Sequence, residues 1–315
     1  MSNSNTVHPI FSPSEFFVKT PMAVSLKNQL NAWLQNGATG AVILGPSRAG
    51  KSRAIEYASQ RLVNRLEQPI PARSLTIHRR TAKTETSIFR NLCLSLSLKP
   101  KSRANTDDMS DLVFHHFCDL AQLNDTKQVV LFVDEVHRLT IEQLEAFCEI
   151  YDKLVVAKVN ISIFFIGNQN SCSPLLQHIS LEKNELIRGR FFTRHVKFTG
   201  LRNVKDVRAT LSEYDSMRFP TPDGPTFTSR FLAEKCGADF NLRTLSEILW
   251  EVFNDDFRVN LKIKAWPMQY FVAVVRMLLV DYLPTYGEDD ENSLYNFIHE
   301  AIEISGLVPD LVSAA

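Results

Sequence analysis

The run "GPSRAGKS", residues 45–52, follows the apolar stretch "GAVIL" and leads into "RAIEYASQRLVNRL", whose spacing is helical. No other feature constrains the chain as tightly. A turn of the form G-x-x-x-x-G-K-[ST] between a strand and a helix lets several backbone N–H groups converge on one anion. The following helix adds the positive end of its dipole. Gly45, Pro46, Ser47, Arg48, Ala49 and Gly50 form that cradle, and Lys51 can reach the β- and γ-phosphates of ATP. The Ser52 hydroxyl can complete an Mg²⁺ shell. A glycine-rich turn with no ligand is the alternative, and the strand–turn–helix context disfavours it.

The rest of the chain alternates around that turn. Short β-like runs at 41–45, 74–79, 129–135, 161–167 and 193–201 are separated by helical patterns. The clearest is "IEQLEAFCEIYDKLVVAKV", where Ile141, Leu144, Phe147, Cys148, Tyr151, Leu154 and Val155 share a face. Near-continuous Val, Ile and Phe in the strands predict a parallel sheet buried on both faces. Past residue 201 the strand signals stop and helical patterns follow. The expected organisation is an irregular segment over 1–22, an α/β domain over 23–201, a helical lid region over 202–283 and a terminal segment over 284–315. The five cysteines include no C-x-x-C pair and read as reduced core residues. Without a secretory signal or a long apolar span, a soluble cytoplasmic chain with no membrane contact is expected.

Two acids close the third strand. In "VVLFVDEVHRL", Asp134 and Glu135 stand at the carboxyl end of an apolar run, the edge at which open α/β sheets bind ligands. One carboxylate, Asp134, can hold the metal's shell while Glu135 polarises an attacking water. Helix capping is the plainer reading of two such acids, and the phosphate loop upstream argues against it. The fourth strand ends in Asn168, an amide able to orient water or simply to turn the chain. Arg188 and Arg190 precede the fifth strand, and Arg243 opens a helix in the lid region. Each can be ordinary surface charge or a contact to nucleotide, in one case from a neighbouring subunit.

A phosphate loop, an Asp-Glu strand, an Asn-ended strand, an arginine before the fifth strand and a helical region with its own arginine follow in that order. Over roughly residues 20–260 this resembles the AAA+ ATPases. The resemblance implies a P-loop α/β three-layer sandwich with a parallel five-stranded sheet ordered 5-1-4-3-2 and a C-terminal helical lid. It implies ATP and Mg²⁺ bound between subunits of a ring or helical filament. Lys51 and Ser52 would then bind phosphate and metal, Asp134 would support the metal and Glu135 would be the base. Asn168 and Arg243 become the two sensors, and Arg190, in "GRF", the preferred finger acting on the adjacent subunit, with Arg188 a near second.

Lys+Arg and Asp+Glu number 35 each, so net charge says nothing about nucleic acid. Distribution says more. Between 73 and 103 lie Arg73, Arg79, Arg80, Lys83, Arg90, Lys99, Lys101 and Arg103 against one acid, Glu85. Arg79, Arg80 and Lys83, and further on Lys99, Lys101 and Arg103, read as two strips for the backbone of duplex DNA, or as a solvated face. Residues 281–315 hold eight acids and no Lys or Arg. There "ENSLYNFIHEAIEISGLV" carries an apolar face through Leu294, Phe297, Ile298, Ala301 and Ile302, either a partner-docking helix or one packed on the lid.

Over its whole length the chain resembles the TnsC/TniB group of transposition regulators, most closely TnsC of Cascade-type CRISPR-associated transposons. That resemblance implies ATP-dependent oligomers on duplex target DNA, linking a TniQ–Cascade target selector to the TnsA/TnsB transposase. An AAA+ replication initiator, a clamp-loader-type ATPase or a nucleotide-gated DNA scaffold would share the nucleotide motifs.

Overall fold

A computed structural model of the chain describes residues 7–12, 16–79, 84–288 and 290–308; Arg80 and Lys83 lie outside these. Five strands form one sheet: β1 (Gly40–Gly45), β2 (Ala72–Thr76), β3 (Gln128–Asp134), β4 (Asn160–Asn168) and β5 (His195–Lys197). All neighbouring pairs are parallel, in the order β2-β3-β4-β1-β5. Read from the β5 edge, this is the expected 5-1-4-3-2. Parallel neighbours need long crossovers, and helices supply them. α1 (Pro21–Gln35) precedes the sheet; α2 (Lys51–Ser59), α3 (Glu85–Ser95), α4 (Thr106–Ala121), α5 (Ile141–Val156), α6 (Gln169–Ser180) and α7 (Glu185–Phe191) lie between strands.

β1 is buried at every position, and so are the interiors of β3 and β4, because both faces of the sheet are covered. On one face Val42, Leu75, Leu131, Val133, Ile163 and Phe165 join Phe89, Phe117, Phe147 and Phe191 from the helices. On the other, Phe132 and Trp33 of α1 both stack on Phe164, at centroid distances of 5.6 and 6.1 Å. Three expectations fail at the margins. β2 spans Ala72–Thr76 rather than 74–79, because its pairing with β3 ends at Thr76 opposite Asp134. β5 spans three residues rather than 193–201, because it pairs with β1 alone, opposite Val42, Ile43 and Leu44. Val155 is 48% exposed rather than buried.

A second compact unit gathers the described residues up to Met22, Arg48–Gly50 and the chain from Thr199 onward. Its helices are α8 (Val204–Ser216), α9 (Phe227–Cys236), α10 (Ser246–Val252), α11 (Met268–Met277), α12 (Leu283–Tyr286) and α13 (Glu291–Ile304). π-helical turns at Phe253–Arg258 and Leu278–Tyr282 interrupt the long helical patterns. The core is aromatic, with Trp266 stacked on Phe253 at 4.3 Å and Tyr214 fully buried beside them in the same cluster. Ile10, Phe16 and Val18 of the lead-in belong to this core. His8 lies among Phe219, Phe227 and Phe231, and burial, assisted by Arg230, holds its pKa below the usual imidazole range.

The apolar face of α13 packs inward. Leu294, Ile298, Ala301 and Ile302 are buried in this same core, and Phe297 stacks on Tyr282 at 4.9 Å. Among the described residues of the terminal segment, these apolar side chains pack within their own unit. Among the described residues, no helix is long and apolar enough to cross a membrane.

Candidate functional site

The sheet register assembles the site. Gly45 at the end of β1 pairs with Asn168 at the end of β4, and Thr76 at the end of β2 pairs with Asp134 at the end of β3. Parallel strands share a carboxyl edge, so residues distant in sequence meet there. Gly45 has no room for a side chain: a Cβ would stand 2.2 Å from the carbonyl oxygen of Phe198.

Lys51 and Ser52 open α2, at the positive end of the helix. The Lys51 ammonium donates to the carbonyls of Gly45 at 3.0 Å and Pro46 at 2.7 Å. Burial lowers its pKa, and Asp134, Glu135 and Cys172 pull the other way. An ammonium withdrawn from water and held by neutral carbonyls can trade them for charged phosphate oxygens, which bind it more strongly. Beside it, burial pushes the Cys172 thiol up to about 11, so it stays protonated near neutrality.

Asp134 accepts on both oxygens. The Ser52 hydroxyl donates to Oδ2 at 2.9 Å, and the Glu135 N–H donates to Oδ1 at 2.8 Å. A hydroxyl in contact with a carboxylate is a hard-oxygen pair that suits Mg²⁺. Glu135 itself sits at φ 63, ψ 39, a left-handed backbone that costs a non-glycine residue about 1–3 kcal/mol and collects at functional positions. Its Oε2 lies 3.4 Å from His137 Nδ1 and 3.6 Å from Arg138 Nη2, and Arg138 Nη1 donates to the Ile77 carbonyl at 2.9 Å. The sequence reading assigns neither residue a role. Arg138 was reachable from its spacing, three residues after Glu135 across the 3₁₀ turn Val136–Arg138.

Asn168 divides its amide between two tasks. Oδ1 accepts from the N–H groups of Asn170 and Ser171, capping α6, while Nδ2 donates to Ser47 Oγ at 2.9 Å. The two candidate finger arginines differ sharply. Arg190 places its fork on Asp152, at 2.7 and 3.0 Å, with its guanidinium 5.2 Å over the Tyr151 ring. The Arg188 side chain makes one hydrogen bond among the described residues, from Nη1 to the Ser180 carbonyl at 2.7 Å.

In the helical unit, the Arg48 carbonyl accepts from the Gln269 N–H at 3.1 Å, and its guanidinium donates to the Tyr270 hydroxyl. Met268 lies 3.2 Å from where Gly50 would carry a Cβ. Arg243 is exposed; the N–H groups of Leu242 and Arg243 both donate to the Asp215 carboxylate, at 2.8 and 3.1 Å.

Arg79, Lys99, Lys101 and Arg103 are all exposed, and among the described residues none forms an ion pair. The Thr86 and Thr106 hydroxyls bond at 2.7 Å, so the first turns of α3 and α4 meet. The segment bearing Arg79 runs into one of those turns, and the loop bearing Lys99, Lys101 and Arg103 runs into the other.

Residues 35–176 match the family model of the AAA domain, a span that holds the phosphate loop, Asp134, Glu135 and Asn168. No curated protein matches the chain. Among solved structures it is similar to the Aeropyrum pernix ORC2 protein in its ADPNP-ADP complexes, at 12% identity over 95% of this chain and 71% of that one, with a TM-score of 0.59. It also matches the Aeropyrum pernix ORC1 protein in complex with DNA, at 12% identity over 95% of this chain and 85% of that one, TM-score 0.45. The Caenorhabditis elegans PCH-2 structure matches at 12% identity over 94% and 72%, TM-score 0.43. The sheet order, the family match and the first of these likenesses together establish the AAA+ α/β fold.

The divided amide of Asn168 can be tested. Asn168→Ala should lower unfolding free energy by about 1 kcal/mol through loss of the cap, and Asn168→Asp, which keeps the acceptor, by clearly less. Urea titrations of both variants measure this. Equal losses would assign the stability to the Ser47 bond instead.

Proposed function

We propose that this chain is an Mg²⁺-dependent AAA+ ATPase that assembles on duplex DNA and grips its backbone without reading bases. The observation that carries the reading is the meeting of Lys51, Ser52, Asp134, Glu135 and Asn168 at one edge of the sheet. Ser52 and Asp134 would hold Mg²⁺, which neutralises phosphate charge when bound. Lys51 takes the β- and γ-phosphates, and the loop Gly45–Gly50 cradles the chain of phosphates with backbone N–H groups. Glu135 accepts the proton of the attacking water, and the Asn168 amide nitrogen orients that water. Arg243 is exposed and remains the residue to which the family resemblance gives the role of second sensor.

For the residue acting on an adjacent copy, the geometry supports Arg188 over Arg190. A finger must release its own-chain partners to reach a neighbour's phosphates. Arg190 would abandon a two-pronged ion pair, and Arg188 a single bond to a backbone carbonyl.

Two substitutions separate binding from chemistry. Lys51→Ala should abolish ATP binding, whereas Glu135→Gln should bind ATP and lose about 10²–10⁴-fold in turnover, the usual contribution of a general base. Fluorescent-nucleotide titration and phosphate release measure the two; parental turnover by Glu135→Gln would remove the base assignment.

The exposure of Arg79, Lys99, Lys101 and Arg103, none of them in an ion pair among the described residues, supports the DNA strip. Replacing Arg79, Lys101 and Arg103 together with alanine should weaken duplex binding alike across sequences. It should flatten the dependence of log affinity on log salt by about 0.9 per lost phosphate contact. Anisotropy titrations over a salt series decide it, and an unchanged slope returns these residues to the solvent.

The finer reading is a transposition regulator that links a TniQ–Cascade-type target selector to a TnsA/TnsB-type transposase, supported by the whole-chain sequence resemblance. The full chain, loaded with ATP on duplex DNA, should capture both in pull-downs. If it captures neither, the ATPase stands and the transposition role falls, leaving an initiator or clamp-loader type of ATPase.

A further inference from the structure

We infer that Asp152 and Arg190 form a clamp that seats α7 so that Arg188 on the same helix is aimed at the ATP site of a second copy of this chain. The inference rests on the ATPase reading above, and it concerns a residue, Asp152, to which neither the motifs nor the resemblance gives a role.

α7 is seven residues long and cannot hold its own orientation; a helix this short owes its place to packing. Its anchors are the buried Ile187 and Phe191, and Arg190. The Arg190 side chain is 20% exposed, and both of its terminal nitrogens are taken by Asp152, Nη2 to Oδ1 at 2.7 Å and Nη1 to Oδ2 at 3.0 Å. This planar two-bond match fixes direction as well as distance. Tyr151 presents its ring to the same guanidinium. The Arg190 carbonyl accepts from the Thr39 hydroxyl, immediately before β1. Phe191 is fully buried, and α7 lies so close to β1 that a Cβ on Gly40 would stand 3.0 Å from its ring.

Successive helical residues are turned by about 100°, so Arg188 leaves α7 about 200° from Arg190. The clamp pulls one side of the helix onto α5 and β1 and thereby turns the Arg188 side away. Loss of the clamp should leave nucleotide binding intact, since Lys51, Ser52 and Asp134 are untouched. It should mis-aim Arg188, and a finger displaced by about 1 Å loses up to about 10²-fold in rate.

The test uses full-length Asp152→Ala, Arg188→Ala and the exchange variant Asp152→Arg/Arg190→Asp. Asp152→Ala should show faster hydrogen exchange over Glu185–Phe191, unchanged ATP affinity and a kcat lowered about tenfold. Mixing it with Glu135→Gln protein, whose α7 is intact, should restore part of the turnover, as it should for Arg188→Ala. The exchange variant should recover most of the parental kcat, because position 190 then needs an ion pair and not an arginine. Parental or raised kcat in Asp152→Ala overturns the inference, the latter by showing Asp152 to be a restraint on Arg190. An exchange variant that folds and exchanges normally but stays inactive overturns it as well, since Arg190 is then the finger. Unchanged hydrogen exchange in Asp152→Ala overturns it independently of any turnover. A parent protein that turns over no ATP would count against the ATPase reading alone, leaving the hydrogen-exchange data to judge the clamp.

Discussion

The hydrogen bond from the Ser52 hydroxyl to Asp134 is the contact on which the candidate site depends. It joins the first turn of α2 to the end of β3, two elements 82 residues apart in sequence. Asp134 can serve as that junction because its other oxygen is fixed by the Glu135 N–H and its carbonyl by the Ile77 N–H. The carboxylate therefore cannot swing away when Ser52 moves. A parallel sheet buried on both faces supplies the rest of the rigidity, because a one-residue slip would swap every side chain between two closely packed faces.

The same junction places Glu135 under constraint. With Asp134 holding its N–H, the chain must leave β3 through a left-handed residue, and the turn that follows brings His137 and Arg138 back onto the Glu135 carboxylate. Arg138 then extends to the Ile77 carbonyl, where the backbone departs toward Arg79. One guanidinium thus lies between the carboxylate proposed as base and the root of the segment proposed to meet DNA. A bond to a backbone carbonyl holds regardless of side-chain identity at 77, so this link depends on the path of the main chain.

How far the sequence disclosed these features follows from how local each one is. The phosphate loop and the Asp-Glu pair are contiguous, and their chemistry follows from residue type in a strand-turn-helix context, so both were legible. The strand alternation was legible where strands are buried on two faces and weak at the edge, where β5 shrank to three residues. The partner of Arg190 was not legible. Asp152 is 38 residues away on a helix whose visible pattern is its apolar face, and a charged residue beside that face carries no period. The apolar face of α13 was seen, but an apolar stripe alone cannot say which surface covers it. Its partners come from α10, α11 and the π-helical turns of the same unit.

Charge shows the same distinction between a sum and a place. With 35 residues of each sign, the chain has no net field to attract a polyanion from a distance. At physiological ionic strength, however, charges more than about 8 Å apart scarcely sense one another through solvent. A DNA backbone therefore responds to its immediate neighbours. Arg79, Lys99, Lys101 and Arg103 are exposed, and none is in an ion pair among the described residues. Neutrality by composition is thus compatible with a locally positive surface. With so few charges, the DNA grip proposed above would be shallow for one copy, and the proposed assembly of several copies along the duplex would make it firm.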